Sequence, residues 1–144
     1  MIRIDFSPID FKIKKQKEKD IIFDEFRKKW VKLTPEEWVR QNILHYITKE
    51  KMYPASLIAV EKELMLGELK KRCDVVVYNR DNLPWMIIEC KEMNTPITES
   101  VMDQILRYHI TLPAEFLIVT NGVYCFGFKK EQNKFELIKE LPDY

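Results

Sequence analysis

Glycine is scarce in this chain, with only 3 residues in 144, and no stretch rich in glycine, serine and proline divides the sequence. Flexible linkers between domains have that composition. Internal repeats, which indicate a repeat architecture, are missing as well. The length is close to the commonest size of one domain, and a hydrophobic content of 46% is enough for a sizeable core. We therefore expect a single domain.

Long apolar runs are also absent. A transmembrane helix needs about 20 consecutive, mostly apolar residues, and the sequence has neither such a run nor an N-terminal signal peptide. The three cysteines, Cys73, Cys90 and Cys125, lie in apolar segments without C-x-x-C spacing. Buried free thiols in a reducing compartment fit this pattern best. We expect a cytoplasmic protein that does not contact a membrane.

An excess of charge of one sign is missing from the chain as a whole. Lys and Arg number 24 against 23 for Asp and Glu, a net charge of +1, so a strongly basic surface is absent in bulk. Basic residues are nevertheless concentrated near the N-terminus, at positions 12, 14, 15, 17, 19, 27, 28, 29 and 32. A solvated polar face is the simpler interpretation of the first five, and a nucleic-acid patch is the alternative.

Helical signals occur twice. Thr34-Pro35-Glu36-Glu37 provides a capping hydroxyl, a proline at the first helical position and a glutamate three residues after the cap. A helix over about 35–50 follows from it, and a second is predicted over about 98–112. The apolar stripes of the two helices are Val39, Ile43, Tyr46 and Ile47 in the first, and Val101, Ile105, Tyr108 and Leu112 in the second.

The rest of the chain has the two-residue period or the short apolar runs of strands. The predicted strands are 57–64, 73–78, 85–91, 115–120, 123–128 and 135–138. The first three have short links and suggest an antiparallel meander, whereas 115–120 is apolar throughout, as expected for a strand covered on both faces. Residues 11–33 are interpreted as a β hairpin or arm. The expected fold class is α/β, in the order helix, three strands, helix, strand.

Two carboxylates and a lysine interrupt the apolar strands. Asp74 precedes a run of three valines, and Glu89 and Lys91 close the third strand. Ionised groups in such segments are costly to bury unless they are paired or bound to a cation. Because side chains alternate along a strand, Glu89 and Lys91 share one face, and Asp74 can join them if the two strands pair.

Two carboxylates beside a lysine have two interpretations. They form a hard-oxygen site suited to Mg²⁺, at which a metal-assisted hydrolysis of phosphodiesters is possible and Lys91 would orient water or offset developing charge. The alternative is a structural ion pair of Lys91 with Glu89 or Asp74. The residues alone leave the two about equally supported.

The arrangement Asp74, fourteen intervening residues, then Glu89-Cys90-Lys91 resembles the D-x(n)-E-x-K signature of the PD-(D/E)xK nuclease superfamily. The surrounding segments are similar to the N-terminal nuclease domain of type I restriction enzyme R subunits and its stand-alone relatives. They are TPEEWVRQ at 34–41, VEKEL at 60–64, KRCDVVVY at 71–78, IIECK at 87–91 and VTNG at 119–122. Each motif is weak alone, but five in this order are fairly specific.

This resemblance implies a restriction-endonuclease-like core over 34–128, a central mixed sheet flanked by helices, between an N-terminal arm at 1–33 and an extension at 129–144. It implies a Mg²⁺-dependent endonuclease, with Mn²⁺ as a possible substitute, that acts on DNA and works with partner subunits of a restriction system if these exist. The site residues carried over are Asp74, Glu89 and Lys91, with Cys90 joining the two carboxylates at the metal. Gln104 and Tyr108 match a Q-x-x-x-Y motif, and Glu37, or else Glu36, matches a glutamate of the first helix.

The chain departs from the family pattern in two places. Cys73 stands where the eponymous motif has proline, and no G-x-x-x-x-G-K-[ST] phosphate loop is present, so no nucleotide cofactor or ATP-driven motor is expected. The chain is then a fragment, a free-standing nuclease or a domain borrowed for another role. A catalytically silent module that binds nucleic acid or protein is the alternative function. His45 and His109 have no partner at ligand spacing, so no zinc site is expected.

Overall fold

The computed structural model describes residues 1–144, which form two helices and nine strands in two sheets. Along the chain these are β1 (Ile13–Gln16), β2 (Lys19–Asp24), β3 (Lys29–Lys32), α1 (Pro35–Lys49), β4 (Ile58–Leu66), β5 (Leu69–Tyr78), β6 (Pro84–Cys90), α2 (Glu99–His109), β7 (Phe116–Thr120), β8 (Cys125–Glu131) and β9 (Lys134–Ile138). Neither helix is long and apolar enough to span a bilayer.

The larger sheet has the strand order β4-β5-β6-β7-β8-β9. All of its neighbouring strands are antiparallel except β6 and β7, which are parallel and are joined by the crossover helix α2. The expected α/β class, the antiparallel meander and the mixed sheet are therefore confirmed. Strand β7 is buried at all five residues, as its continuous apolar sequence predicted.

Two apolar clusters cover the faces of this sheet. The α1-side cluster contains four buried residues of α1, namely Val39, Ile43, Leu44 and Ile47, and the α2-side cluster contains Ile105 of α2 and Leu112 just after it. The three cysteines are buried free thiols, as expected. Since each face is covered by one helix, the polar residues of the central strands can meet solvent only towards the strand ends.

Both helices begin at threonine caps. The Thr34 hydroxyl accepts the Glu37 N–H at 3.0 Å, and the Thr98 hydroxyl accepts the Val101 N–H at 3.2 Å. Helix α2 ends at His109 rather than at the expected Leu112. Pro113 disfavours a helical conformation for Leu112, the residue before it, and the Leu112 N–H instead donates to the His109 carbonyl at 3.0 Å in a turn.

Residues 11–33 form a three-stranded antiparallel sheet rather than a simple hairpin. This N-terminal sheet has the order β1-β2-β3 and is separate from the larger sheet. Its third strand, Lys-Trp-Val-Lys, is short and polar. Four residues show too little alternation of apolar and polar side chains to predict a strand from the sequence. The strand forms because its main chain pairs with β2.

Strands β4 and β5 change faces at Glu61 and Asp74. Val60 packs against the α1-side cluster and Leu64 belongs to the α2-side cluster, although an even spacing would keep them on one face of a regular strand. The pairing of the two strands skips these two residues, and Glu61 has a φ of 52°, in the left-handed region. The irregularity places the Asp74 side chain within reach of both α1 and β6.

Candidate active site

Asp74 and Glu89 lie on neighbouring antiparallel strands. The pairing of β5 with β6 reaches Val75 and Ile88, and the next residues in this register are Asp74 and Glu89. Their side chains keep 16% and 18% of their exposure, so both carboxylates are largely withdrawn from water. The sheet therefore brings together the two acidic residues that the sequence singled out.

The Asp74 carboxylate is fixed by two donors. One oxygen accepts the Cys90 main-chain N–H at 2.7 Å, and the other accepts a guanidinium N–H of Arg40 at 3.2 Å. Burial, followed by repulsion from Glu89, nevertheless raises the pKa of Asp74 from 3.8 to about 6, against the opposing effects of the two donors. Burial and the neighbouring carboxylate therefore outweigh the two donors in setting the pKa of Asp74.

The Glu89 carboxylate lies between two cationic or potentially cationic groups. The Lys91 ammonium is 3.8 Å from one of its oxygens, and Nε2 of His109 is 3.4 Å from the other. Lys91 is one-third exposed, so its ammonium is accessible from solvent. Glu89 and Lys91 thus share a face, as strand alternation predicted.

Cys90 points the other way, into the α1-side cluster. Burial raises the pKa of its thiol well above the usual value, so no thiolate forms near neutral pH. A metal contact at Cys90 would therefore come from its main-chain oxygen and not from sulfur.

His109 is a residue that sequence reasoning missed. Its side chain is buried at the end of α2, beside Glu89, and its Nδ1 is buried without a hydrogen-bond partner. The spacing of residues along the sequence gave His109 no ligand partner, and the structure brings Glu89 to it from a strand that is distant in the chain. Its burial could have been predicted from its position four residues after Ile105, because residues i and i+4 share a helix face and Ile105 faces the core.

The structure does not bring Gln104 and Tyr108 into contact with the carboxylates. Both are exposed, and no hydrogen bond joins either side chain to Asp74, Glu89 or Lys91. The Tyr108 ring, 43% exposed, lies under the Lys71 ammonium at 4.5 Å and edge-on to His109 at 4.9 Å. Tyr108 is therefore linked to Glu89 only through His109.

The Glu37 carboxylate neither bonds to the Thr34 main-chain N–H, as a capping box would require, nor contacts Asp74 or Glu89. Its carboxylate accepts N–H groups of Arg27 and Arg40, both at 2.7 Å, and of Gln41 at 3.1 Å. It does not return to the Thr34 amide, so only the threonine half of the capping box forms. Glu36 is exposed and lies 3.2 Å from Arg40.

Arg40 connects α1 to the carboxylate site and was also missed from the sequence. Its guanidinium is 5% exposed and bonds to Glu36, Glu37 and Asp74. Arg27 extends the network to the N-terminal sheet, since it pairs with Asp24 as well as with Glu37 and Glu61. These ion pairs connect the N-terminal sheet to α1, and α1 to Asp74 of β5.

A cleft of about 610 Å³ opens between the N-terminal sheet and the start of α1. Lys29, Trp30 and Lys32 line it from the sheet, and Glu36, Arg40 and Glu92 line it from the core. Arg40 lines the cleft and also binds Asp74, so this arginine connects the cleft with the carboxylate site.

The donor set favours one kind of cation. No group of three or more His, Cys, Asp and Glu side chains is close enough to hold a metal ion, so the ligands of a structural zinc site are lacking. Two carboxylates remain, Asp74 and Glu89, and the pKa of Asp74 is raised by burial and by its carboxylate neighbour. Magnesium is commonly held by one or two carboxylates and keeps several waters, so these residues fit Mg²⁺.

The family model described as "Type I restriction enzyme R protein N terminus (HSDR_N)" matches residues 35–142. The matched range begins at the first residue of α1 and includes all six strands of the larger sheet. No curated protein matches the chain.

Proposed function

The chain belongs to the type I restriction enzyme R protein N-terminus family, and on that premise we propose that it is a Mg²⁺-dependent endonuclease that hydrolyses DNA phosphodiester bonds. Membership in the family connects the chain with a restriction role. The chemistry, the metal and the catalytic residues are the proposal.

The pairing of Asp74 with Glu89 is the observation that carries this proposal. Two largely buried carboxylates lie on adjacent strands, and burial, together with repulsion from Glu89, raises the pKa of Asp74 to about 6. A fold has no structural need for such a pair, because replacing buried charges with apolar residues is often neutral or stabilising. A site that binds a divalent cation does need it.

Each residue of the site has a distinct role in this proposal. Asp74 and Glu89 hold the cation, which supplies Lewis acidity and a hydroxide nucleophile when bound. Lys91, 3.8 Å from Glu89 and open to solvent, orients the attacking water and offsets the charge that develops on the phosphoryl group. Mn²⁺ would serve the same ligands.

Arg40 and His109 are positioning residues. Arg40 of α1 donates a hydrogen bond to one Asp74 oxygen, and Nε2 of His109 at the end of α2 lies 3.4 Å from one Glu89 oxygen. The two carboxylates are thereby fixed from opposite sides of the sheet, which limits the reorganisation needed on binding a cation.

A catalytically silent module is the second candidate, and one observation favours it. Asp74 already has Arg40 as a partner, and Glu89 already has Lys91. If these ion pairs satisfy the carboxylates, the trio is structural and the domain only binds nucleic acid or protein. Nothing in the pairing itself requires hydrolysis.

Supercoiled-plasmid nicking in the presence of Mg²⁺, Mn²⁺ or EDTA tests the proposal. We expect nicking with either metal, none with EDTA, and none with Asp74→Asn. Asp103→Asn removes an exposed carboxylate of α2 and serves as the control, with wild-type activity expected. Metal-independent nicking, or equal nicking by both variants, would refute the assignment.

A further inference from the structure

The positive charge of this near-neutral chain is concentrated in the N-terminal sheet and its turns. Residues 12–32 contain nine Lys and Arg against four Asp and Glu, a net charge of +5, which leaves −4 for the rest of a chain whose total is +1. Asp24 is buried and paired with Arg27, whereas all eight lysines are exposed. The sheet is therefore a basic surface on an otherwise acidic molecule.

One face of this sheet combines lysines with aromatic rings. Lys14, Ile21 and Lys32 are paired across the three strands, as are Phe23 and Trp30, and these residues share one face. The Lys14 ammonium lies 4.2 Å from the centre of the Trp30 ring, and this ring is 5.5 Å from Phe23 in an edge-on contact. Trp30 keeps 38% of its exposure, so it presents apolar ring surface to solvent.

We infer that the N-terminal sheet binds a single DNA strand, with the lysines on its phosphates and Trp30 stacked on a base, and leads it into the carboxylate site. An exposed aromatic ring among lysines is what sequence-independent binding of single strands requires, because phosphates attract the lysines and every base has a face that stacks. A duplex would use the lysines but leave the ring without a partner. The inference rests on the proposed nuclease function.

Arg40 connects this surface with the site. Lys29, Trp30 and Lys32 line the same cleft as Arg40, and Arg40 binds Asp74. Glu36 and Glu92 line the core side, so the basic charge for phosphates comes mainly from the sheet.

The sheet is held at a fixed position relative to the site. Arg27, at the β2–β3 turn, bonds to Glu37 of α1 and Glu61 of β4. Residues 13–32 lie outside the range matched by the family model. The proposed strand-binding surface therefore lies N-terminal to the residues that the family model matches.

Binding of labelled oligo-dT in EDTA, measured by fluorescence anisotropy, tests the inference without any cleavage. Trp30→Leu keeps an apolar contact with Phe23 and removes the stacking ring, and Trp30→Phe retains a smaller ring. We expect the affinity to fall roughly 5-fold to 100-fold in Trp30→Leu and less in Trp30→Phe. Thermal melts of both variants verify that the sheet is intact.

The lysines are tested as a matched pair of triple variants. Lys14→Gln, Lys29→Gln and Lys32→Gln together should lower the salt dependence of log K by about 2, since each phosphate contact on a single strand contributes about 0.7. Lys70→Gln, Lys134→Gln and Lys139→Gln remove the same charge from exposed positions in or directly after strands of the larger sheet and should change the salt dependence little.

Three results would overturn the inference: equal losses in the two triple variants, affinities in Trp30→Leu equal to wild type, or tighter binding to duplex DNA, RNA or anionic vesicles than to oligo-dT. Failure of the proposed function has a different signature. If Asp74→Asn binds oligo-dT normally and wild type nicks no plasmid, the surface is retained and the nuclease proposal falls.

Discussion

Asp74 accepts the main-chain N–H of Cys90 at 2.7 Å, so the middle residue of the Glu-x-Lys triplet holds the other carboxylate of the site in place. The cysteine side chain takes no part, since it is buried on the opposite face. Cys90 therefore contributes its main-chain N–H to the site and its side chain to the apolar core. Because Asp74 has both a charge and a hydrogen bond to Cys90, changing it can remove the charge alone or the charge together with the hydrogen bond.

The first prediction concerns the charge of Asp74 in the metal-free protein. Its folded-state pKa of about 6 exceeds the ordinary 3.8, so ionised Asp74 lowers the free energy of unfolding above about pH 6, and this cost disappears below about pH 4. Asp74→Asn keeps a hydrogen-bond acceptor for Cys90. Relative to wild type it should gain roughly 2–3 kcal/mol between pH 4 and pH 7, measured by urea unfolding in EDTA.

Asp74→Ala is the control for the hydrogen bonds. It removes the same charge but leaves the Cys90 N–H and Arg40 without their acceptor, and so it should be less stable than Asp74→Asn by about 1–3 kcal/mol. If the difference in free energy of unfolding between the wild type and Asp74→Asn does not change from pH 4 to pH 7, the pKa of Asp74 is not raised and the prediction is wrong.

The second prediction concerns cations. Because a ligand that binds only the folded state stabilises it, saturating Mg²⁺ should raise the melting temperature of the wild type. The gain corresponds to about 2.7 kcal/mol at a concentration of 100 times Kd. The shift should vanish in Asp74→Asn and persist in Asp103→Asn, and equal shifts in all three proteins would exclude a site at Asp74.

The third prediction distinguishes the two glutamates at the start of α1. The Glu37 side chain is 6% exposed and pairs with two arginines, whereas Glu36 is 47% exposed. Glu37→Gln should destabilise the fold by about 3 kcal/mol, because it leaves buried Arg40 and Arg27 undercompensated. Glu36→Gln should cost less than about 1 kcal/mol.

Nicking by the same two variants then shows which glutamate assists the site. Activity measured below the melting temperature should fall in Glu37→Gln, since Arg40 loses the partner that orients it towards Asp74. If Glu37→Gln is stable and fully active, the ion pairs of Glu37 with Arg27 and Arg40 do not position Asp74.

The fourth prediction concerns His109. His109→Gln retains an N–H donor for Glu89, and His109→Leu removes it while keeping the site filled. A positioning role predicts that the leucine variant loses about tenfold or more in kcat and the glutamine variant much less, with similar melting temperatures in both. If the two variants have equal rates, the contact with Glu89 is incidental.

The carboxylates were identifiable from the sequence for a definite physical reason. Charged residues at Asp74 and Glu89 stand out because their neighbours are apolar strand residues, and the two-residue period of a strand fixes which of them share a face. The start of the first helix followed equally from local chemistry, namely the Thr34 cap, whereas the end of the second was predicted three residues too late. These features depend on neighbours in sequence.

Arg40, His109 and strand β3 could not be predicted in the same way. An arginine on a helix is ordinarily solvated, and the burial of Arg40 depends on Asp74, which lies 34 residues away in the chain. The environment of His109 is determined by a carboxylate of another strand. The irregularity at Glu61, where β4 changes the face to which its side chains point, arises from its pairing with β5. The sequence around Glu61 does not indicate it.

Lys91 provides the most direct test of whether the trio is catalytic. Cleavage rate, DNA affinity and melting temperature should be measured on one preparation of Lys91→Gln and compared with the wild type. A catalytic role predicts a rate at least about 100-fold lower, with affinity and melting temperature nearly unchanged. An unchanged rate, or a rate that falls only together with stability, would contradict the account and leave Lys91 as the structural partner of Glu89.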